Sequence, residues 1–206
     1  MITVSNVKRI LLKDLNFNAS KIKKLENFAI KLLIYNKKHN LISRNTEKHI
    51  WDRHILDSAQ LIKFIDTKNC SGIADLGTGG GFPGIILAIY FQNFNFHVKL
   101  YEKSPVKSAF LSHITNVLGL NCKIIRNDIN LVKIDSNYIV CRAFRKLPYI
   151  LNISRENCIK KHKMIIMKGR NAQQEINNAS KMENYKYRLE NSITDKDSKI
   201  IILNRE

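Results

Sequence analysis

The sequence has few cysteines and no long apolar stretch, and each shortage excludes a class of protein. Its four cysteines (Cys70, Cys122, Cys141 and Cys158) lie far apart, so no CxxC pair exists for a zinc knuckle or an iron–sulfur cluster. No apolar run approaches the ~20 residues of a membrane span. Lysine and arginine interrupt the apolar N terminus, unlike in a signal peptide. These absences predict a soluble, reduced cytoplasmic protein that binds no metal and enters no membrane.

Acidic residues are also scarce: the 206 residues include 35 Lys and Arg but only 17 Asp and Glu, a net charge of +18. The net charge is +8 in residues 1–70, +2 in residues 71–141 and +8 in residues 142–206. Nucleic acid and an anionic membrane surface are both compatible with this excess. The chain is rich in Ile, Lys and Asn, so part of the lysine content has a purely compositional explanation. A nearly neutral middle between basic flanks favours a cofactor-binding centre with a basic periphery.

Hydrophobic periodicity predicts a helical first third, with helices over residues 20–38 and 46–65 and Thr46 as an N-cap. Strands and helices then alternate. The predicted strands are residues 72–76, 97–101, 123–126, 138–141, 164–167, 185–189 and 200–203, with helices after Pro83, over 105–118 and over 171–182. This pattern indicates an α/β fold with a doubly wound, mostly parallel sheet, and the last two strands form an antiparallel hairpin. We expect one compact unit: an N-terminal helical extension (1–68) and an α/β domain (69–206).

A glycine-rich turn follows the first predicted strand and fits two ligands. Gly79-x-Gly81-x-x-Gly84 matches the dinucleotide pattern, whereas Asp75-x-Gly77-x-Gly79-x-Gly81 matches the pattern for S-adenosylmethionine. A pyrophosphate is bound by backbone amides and is repelled by a carboxylate. The methyl donor carries a positive ammonium and a positive sulfonium, so Asp75 favours S-adenosylmethionine over a dinucleotide.

Two further strand ends carry polar residues suited to an adenosine ligand. Glu102 lies 21 residues after Gly81, where a carboxylate accepts hydrogen bonds from both ribose hydroxyls in doubly wound folds. The third strand ends in a polar turn, residues 126–130, which we expect beside the adenine. A solvent-exposed Glu102 at a strand end is the alternative interpretation.

Several motifs together carry a resemblance to a known family. They are Asn40-Leu41-Ile42-Ser43, Arg53-His54-Ile55-Leu56-Asp57-Ser58, the run from Asp75 to Ile85, Arg142-Ala143-Phe144, and Lys168-Gly169. Their identity and order resemble the ribosomal RNA small subunit methyltransferase G family, also called glucose-inhibited division protein B. The resemblance extends from about residue 25 to the C terminus. It implies a seven-stranded sheet of the methyltransferase type and transfer of a methyl group from S-adenosylmethionine to N7 of a guanosine in 16S rRNA.

The resemblance also implies site residues. Gly77 and Phe82 would line the donor site, and Ile129 and Asn130 would flank the adenine. The chain departs from the family at three positions: residue 80 is commonly Pro and is Gly here, residue 128 is commonly Arg and is Asp here, and residue 130 is commonly Glu and is Asn here. These departures leave the adenine-side contacts to be tested.

Arg142 and Lys168 are the candidate catalytic residues, in positioning roles. The resemblance implies that Arg142 contacts the donor or the mouth of the active site and that Lys168 lies near the substrate. His54 and Asp57 lie on one helical face, where packing or capping is the first interpretation and a role in the cleft the second. Phe144 fits a core position and a base-stacking platform equally well.

The predicted partner is 16S rRNA or the small ribosomal subunit, and we expect a monomer. Four basic residues are candidate phosphate contacts, with solvent exposure as the alternative: Lys160, Lys161, Lys163 and Arg170. Two other functions stay open from the residues alone. One is an NAD(P)-dependent oxidoreductase using the same glycine loop, and the other is a noncatalytic, basic RNA-binding module.

Overall fold

The computed structural model describes residues 2–68, 72–92, 94, 97–179 and 185–205. Within these residues seven strands form one sheet in the order β3-β2-β1-β4-β5-β7-β6. The strands are β1 (Gly72–Leu76), β2 (His97–Tyr101), β3 (Cys122–Ile125), β4 (Tyr138–Arg142), β5 (Lys163–Lys168), β6 (Tyr185–Asn191) and β7 (Lys199–Arg205). Strands β1 to β5 pair in parallel, and β7 lies antiparallel between β5 and β6. The predicted mostly parallel, doubly wound sheet with a final hairpin is confirmed.

Helices cover the sheet and connect its parallel strands. They are α1 (Val4–Lys13), α2 (Ala19–Asn36), α3 (Asp57–Ala59), α4 (Gly84–Phe91), α5 (Pro105–Leu118), α6 (Leu147–Glu156) and α7 (Ala172–Asn177). Helix α6 was not predicted, although its buried residues Leu147, Ile150, Leu151 and Ser154 follow helical spacing. The predicted helix 171–182 is α7 in its described part, and residues 180–182 lie outside the described residues.

The predicted regular helix over residues 46–65 is wrong. Residues 44–64, which we call the mixed helical segment, comprise a 3₁₀ turn, a π-helical stretch (Ile50–Leu56), α3 and a second 3₁₀ turn. Thr46 is not an N-cap: its hydroxyl donates to the Ser43 carbonyl at 2.8 Å. The other contact of that hydroxyl is His54 Nε2, also at 2.8 Å. Wide turns of this kind often occur at functional sites, and here they turn polar side chains towards the sheet.

The N-terminal helices pack against one face of the sheet and share its core. Phe28 of α2 is fully buried, with its ring 5.3 Å from that of Phe82 and 6.5 Å from that of Phe110. The same hydrophobic cluster contains Val98 of β2 and Ile165 of β5. Burying a side chain such as Phe28 stabilises the fold by about 1.5–3 kcal/mol. The proposed division between residues 68 and 69 stays a prediction, and residues 69–71 lie outside the described part of the chain.

The described residues also bear on membrane, metal and thiol chemistry. No helix there is both long and apolar enough to cross a bilayer. No group of three or more His, Cys, Asp or Glu side chains there is arranged to hold a metal ion. Cys122, Cys141 and Cys158 are free thiols, and Cys70 lies outside the described residues. Burial raises the pKa of the Cys141 thiol to about 12, so it stays protonated and unreactive at neutral pH.

Candidate functional site

Three adjoining cavities lie at the carboxyl ends of the parallel strands, where the strand order reverses between β1 and β4. Such switch points bind ligands in open α/β sheets. The central cavity (about 430 Å³) lies under the glycine loop, the β3-side cavity (about 310 Å³) lies beside the end of β3, and the β5-side cavity (about 430 Å³) lies beside the end of β5. Ala143 lines all three, so it marks their junction. Its φ of +49° is uncommon for a residue with a Cβ.

The glycine loop presents bare backbone to the central cavity. Gly77, Thr78, Gly79 and Gly80 line this cavity together with the ring of Phe82. At Gly77, with φ of +68°, a Cβ would lie 2.2 Å from Cδ2 of Phe144. Only glycine therefore fits between the backbone and that ring.

Asp75 supports the loop from below and does not reach a cavity. Its side chain has no accessible surface, and its Oδ2 accepts a hydrogen bond from the Gly84 amide at 2.7 Å. Gly81 is likewise turned inward, since a Cβ there would meet Ile85 at 2.6 Å. Neither Asp75 nor Gly81 lines one of the three cavities, so both shape the loop, and their direct contact with the donor stays a prediction. The Gly84 amide is already used, which removes it from the set that would bind a pyrophosphate.

Burial raises the pKa of Asp75 to about 7, against the opposing effect of the Gly84 hydrogen bond. An aspartate in the unfolded chain titrates near pH 4. Between about pH 4 and pH 7 the folded protein therefore keeps a proton that the unfolded chain releases. The free energy of unfolding falls as the pH rises through this window and stays reduced above it.

Asp75→Asn should remove this fall in the free energy of unfolding between about pH 4 and pH 7. We expect the variant to be more stable than the wild type above pH 7, by roughly 1–4 kcal/mol, and equally stable below pH 4. The asparagine Oδ1 still accepts the Gly84 hydrogen bond. Urea unfolding at a series of pH values measures the difference.

Asp135→Asn provides a control of opposite sign. Hydrogen bonding from Lys160 lowers the pKa of the exposed Asp135 carboxyl, so its contribution to stability is present at neutral pH and lost as the pH falls. Replacing Asp135 should slightly destabilise the protein at neutral pH. A stability profile of Asp75→Asn with the wild-type slope between pH 4 and pH 7 would contradict the assigned titration.

Glu102 joins the central and β3-side cavities, since it lines both. Its Oε2 accepts from the Gly79 amide at 3.0 Å, and its Oε1 accepts from the Ser104 amide at 2.8 Å. Each carboxylate oxygen can accept a second hydrogen bond, so the fixed carboxylate keeps capacity for a ligand.

The β3-side cavity contains the two unusual residues Asp128 and Asn130, and they contact each other. Asp128 Oδ1 accepts from the Asn130 backbone amide at 3.0 Å and from its side-chain Nδ2 at 2.8 Å. The backbone bond is the main reason why the pKa of Asp128 lies below its ordinary value. Nδ2 of Asn130 also donates to the hydroxyl of Tyr149 at 3.0 Å. Tyr149 was missed from the sequence because α6, which carries it, was missed.

Arg142, at the end of β4, is held by the mixed helical segment. Its Nη1 donates to the Arg53 carbonyl at 2.9 Å and to Asp57 Oδ2 at 3.4 Å. Its Nη2 donates to His54 Nδ1 at 2.6 Å, and its guanidinium carbon lies 5.1 Å from the centre of the Phe82 ring. Burial lowers the pKa of Arg142 and Asp57 opposes the effect, so the guanidinium stays charged. It lines both the central and the β5-side cavities.

His54 and Asp57 both line the central cavity and contact Arg142, which favours the second interpretation, a role in the cleft, over helix packing or capping. Burial, reinforced by Arg142 and Arg53, lowers the pKa of His54 to about 3, so the imidazole is neutral. Arg142 can only donate, which assigns the imidazole proton to Nε2, where it faces Thr46. Asp57 Oδ1 accepts from Thr194 Oγ1 at 2.6 Å and from Gln60 Nε2 at 3.0 Å.

The β5-side cavity contains Lys168 and a residue that was not predicted, Glu175 of α7. Lys168 Nζ donates to the Arg145 carbonyl at 2.5 Å and to Glu175 Oε2 at 2.8 Å. The same carboxylate oxygen accepts from the Leu147 amide at 2.7 Å. Phe144, the third residue of the Arg-Ala-Phe motif, lines this cavity and the β3-side cavity with a half-buried ring.

Basic side chains surround the three cavities: Arg53, Lys103, Lys107, Arg142, Arg145, Lys146, Lys168 and Lys199. The predicted phosphate contacts Lys160, Lys161 and Lys163 lie elsewhere, at the start of β5 and thus at the opposite edge of the sheet. There Lys160 pairs with Asp135 and Lys163 donates to the Phe64 carbonyl at 3.0 Å. Of the four candidates only Arg170 follows the carboxyl end of β5, next to Gly169, which lines the β5-side cavity.

Comparison with known proteins adds a family match. A family model described as rRNA small subunit methyltransferase G matches residues 21–202. The ribosomal RNA small subunit methyltransferase G of Rickettsia felis is 39% identical over 180 residues, which cover 87% of this chain and 91% of the relative. The protein of the same name from Pelagibacter ubique is 37% identical over 193 residues, which cover 91% of this chain and 90% of the relative.

Solved structures share the fold at much lower identity. The ribosomal protein L11 methylase of Lactobacillus delbrueckii subsp. bulgaricus superposes with a TM-score of 0.60 and 12% identity, covering 73% of this chain and 77% of that one. An S-adenosylmethionine-dependent methyltransferase from Aquifex aeolicus gives a TM-score of 0.58 and 13% identity, covering 75% and 91%. These likenesses concern the architecture of the sheet and its helices.

Proposed function

Because this chain belongs to the rRNA small subunit methyltransferase G family, we propose that it methylates N7 of a guanosine in 16S rRNA. The chain is an S-adenosylmethionine-dependent methyltransferase of small-subunit rRNA. The finer elements of the proposal are the N7 atom, the residues that hold the donor, and the state of the rRNA substrate.

The cavities fit the methyl donor. The glycine cradle at Gly77 and Gly79 admits a ligand against bare backbone in the central cavity, beside Phe82. The fixed Glu102 carboxylate, between two cavities, suits the paired hydroxyls of a ribose. We therefore assign the methionine portion to the central cavity, the ribose to Glu102, and the adenine to the β3-side cavity.

Two residues complete the adenine assignment. Ile129 is buried at the edge of the β3-side cavity, where an apolar side chain can pack against a ring. Asn130 is oriented by Asp128 and Tyr149, which engage both N–H groups of its amide, so its side-chain oxygen is held in a fixed position with capacity to accept from a ligand. The departures from the family pattern at residues 128 and 130 thus form a matched pair.

We propose that Arg142 binds the donor carboxylate. When bound, S-adenosylmethionine supplies an electrophilic methyl group on a sulfonium. A guanidinium beside the sulfonium or the methylated purine would be repelled, whereas a carboxylate is an ion-pair partner. Three acceptors hold Arg142 in place, so the cost of ordering its side chain is met before the ligand arrives.

Methylation of a ring nitrogen such as guanine N7 fits the polar side chains His54 and Asp57 of the central cavity, because neither is suited to remove a proton. N7 of guanine attacks with its own lone pair and loses no proton, so alignment of the reacting atoms is the main requirement. His54 has both ring nitrogens engaged and a pKa of about 3, so it is a poor general base at neutral pH. Both oxygens of Asp57 also accept hydrogen bonds. These engaged groups are the observation that carries the N7 assignment.

The basic rim of the cavities supports RNA as the partner, since lysine and arginine neutralise backbone phosphates. The two other functions considered for the sequence are overturned by the family match, because neither an oxidoreductase nor a noncatalytic RNA-binding module belongs to a methyltransferase family. The small ribosomal subunit as substrate, the monomeric state and the cytoplasmic location stay predictions.

Methyl transfer with product mapping tests the proposal. Small ribosomal subunits that lack the modification should accept label from S-adenosylmethionine, at one methyl group per subunit. The product should be cut by borohydride reduction and aniline, a treatment that cleaves RNA at 7-methylguanosine.

The same assay on deproteinised rRNA identifies the form of the substrate. Label recovered on another atom, such as an exocyclic amine or a ribose oxygen, would contradict the N7 assignment. If the protein bound S-adenosylhomocysteine but transferred no label to 16S rRNA in either form, the proposed RNA substrate would be contradicted.

A further inference from the structure

The β5-side cavity contains a donor and an acceptor side by side. The Lys168 ammonium has three N–H groups, and two of them are used by the Arg145 carbonyl and Glu175 Oε2. Both hydrogen bonds that the described residues make to Glu175 end on Oε2. One lysine N–H and the second carboxylate oxygen, Oε1, are therefore left for a ligand.

Guanine presents the complementary pair on one edge. Its O6 accepts a hydrogen bond, and the adjacent N1–H donates one. Adenine has the opposite order, with a donating amino group at position 6 and an accepting N1. Lys168 and Glu175 together match guanine and mismatch adenine twice.

The position of the pair relative to Ala143 agrees with this pairing. Arg142 and Met167 are paired in register between β4 and β5, so Ala143 and Lys168 leave the sheet as neighbours. On guanine N7 is adjacent to O6. On the ring O6 lies between N1 and N7, so a base that places O6 at Lys168 and N1–H at Glu175 has N7 on the side of Lys168 away from Glu175.

We propose that the β5-side cavity binds the target guanine and that Glu175, with Lys168, reads its O6 and N1–H. Glu175 is then a specificity-determining residue, and the inference rests on the proposed function. Base-reading pockets commonly use the Watson–Crick edge in this way, and a site built around hydrogen bonds rejects an analogue that leaves its buried polar groups unpaired. The side chains of Lys168 and Glu175 are 11% and 25% exposed, so an unmatched base would leave them poorly solvated.

Glu175→Gln tests the inference, using small subunits that carry either guanosine or adenosine at the target position. The glutamine oxygen still accepts from the Leu147 amide and from Lys168, so the fold and these two hydrogen bonds are kept. We expect kcat/KM on guanosine to fall by 10- to 100-fold, and the guanosine-to-adenosine ratio to fall at least tenfold. Affinity for S-adenosylhomocysteine should stay within twofold of the wild type.

Glu26→Gln is the matched control, because Glu26 also accepts an ion pair from a lysine, Lys8, but lies among the N-terminal helices. It should leave the ratio unchanged. Should Glu175→Gln not fold, Lys168→Met gives a second reading, since methionine has no N–H to donate to O6 and the substitution should lower the same ratio.

An unchanged guanosine-to-adenosine ratio of kcat/KM in the folded variant would overturn the inference, however far kcat/KM on guanosine fell. Glu175 would then only position Lys168. Absence of transfer by the wild-type protein to guanosine would instead count against the proposed function itself. The two failures are therefore distinguishable.

Discussion

Arg142→Ala should weaken binding of S-adenosylhomocysteine by about 10- to 100-fold, since a hydrogen-bonded charge pair contributes about 1.5–3 kcal/mol. The reason is the proposed contact with the donor carboxylate, made by a guanidinium that three acceptors already orient. Arg142→Lys should rescue little, because an ammonium lacks the planar fork that reaches Arg53, His54 and Asp57 together. Calorimetry measures the affinity, and methyl transfer should fall at least as much.

Arg188→Ala is the control for the loss of a cation. Arg188 lies on β6, is 58% exposed at its side chain and pairs with Glu190 at 3.5 Å. It should retain donor affinity within twofold. If Arg142→Ala instead raised only the KM for rRNA and left donor affinity intact, the guanidinium would bind the RNA and not the donor carboxylate.

Gly77→Ala should nearly abolish donor binding, with a loss of more than 100-fold. The new methyl group would lie 2.2 Å from the Phe144 ring, which must then move within the wall of two cavities. The left-handed backbone also destabilises alanine by about 1–2 kcal/mol. Thermal unfolding and calorimetry with S-adenosylhomocysteine separate the two effects.

Gly119→Ala isolates the backbone contribution. Gly119 has φ of +59° at the end of α5, and a Cβ there meets no atom within 4 Å. This variant should lose a similar amount of stability and keep full donor affinity. Equal donor affinity in the two variants would show that Gly77 is needed only for its backbone conformation.

Strand positions could be predicted from the sequence because buried parallel strands form short apolar runs between polar turns. Residues 72–76 and 97–101 were predicted with the bounds that the structure has for β1 and β2. The mixed helical segment was not predictable in this way. Its periodicity is that of an α-helix. Contacts of His54, Asp57 and Thr46 with other side chains instead favour the wider turns of a π-helix beside the tighter turns of 3₁₀ helices.

The site could be predicted where one local feature is enough. The glycines follow a strand in a recognisable pattern, and Glu102 ends the next strand. The contact of Asp75 with the loop could not be predicted, because sequence spacing does not show whether a carboxylate faces a cavity or the amide of Gly84. Glu175 and Tyr149 were missed because each reaches its cavity from a helix that no motif marks.

The sequence by itself determined the alternation of strands and helices, the glycine turn and the family, because these depend on local pattern and on ordered motifs. Its lack of clustered cysteines and long apolar runs already disfavoured metal and membrane chemistry. Only the tertiary structure decided which charged groups meet. Arg142 and His54 are 88 residues apart in the chain, and Asp57 and Thr194 are 137 apart. Such contacts depend on the packing of the N-terminal helices and the final hairpin against the ends of the strands, and no local rule contains that information.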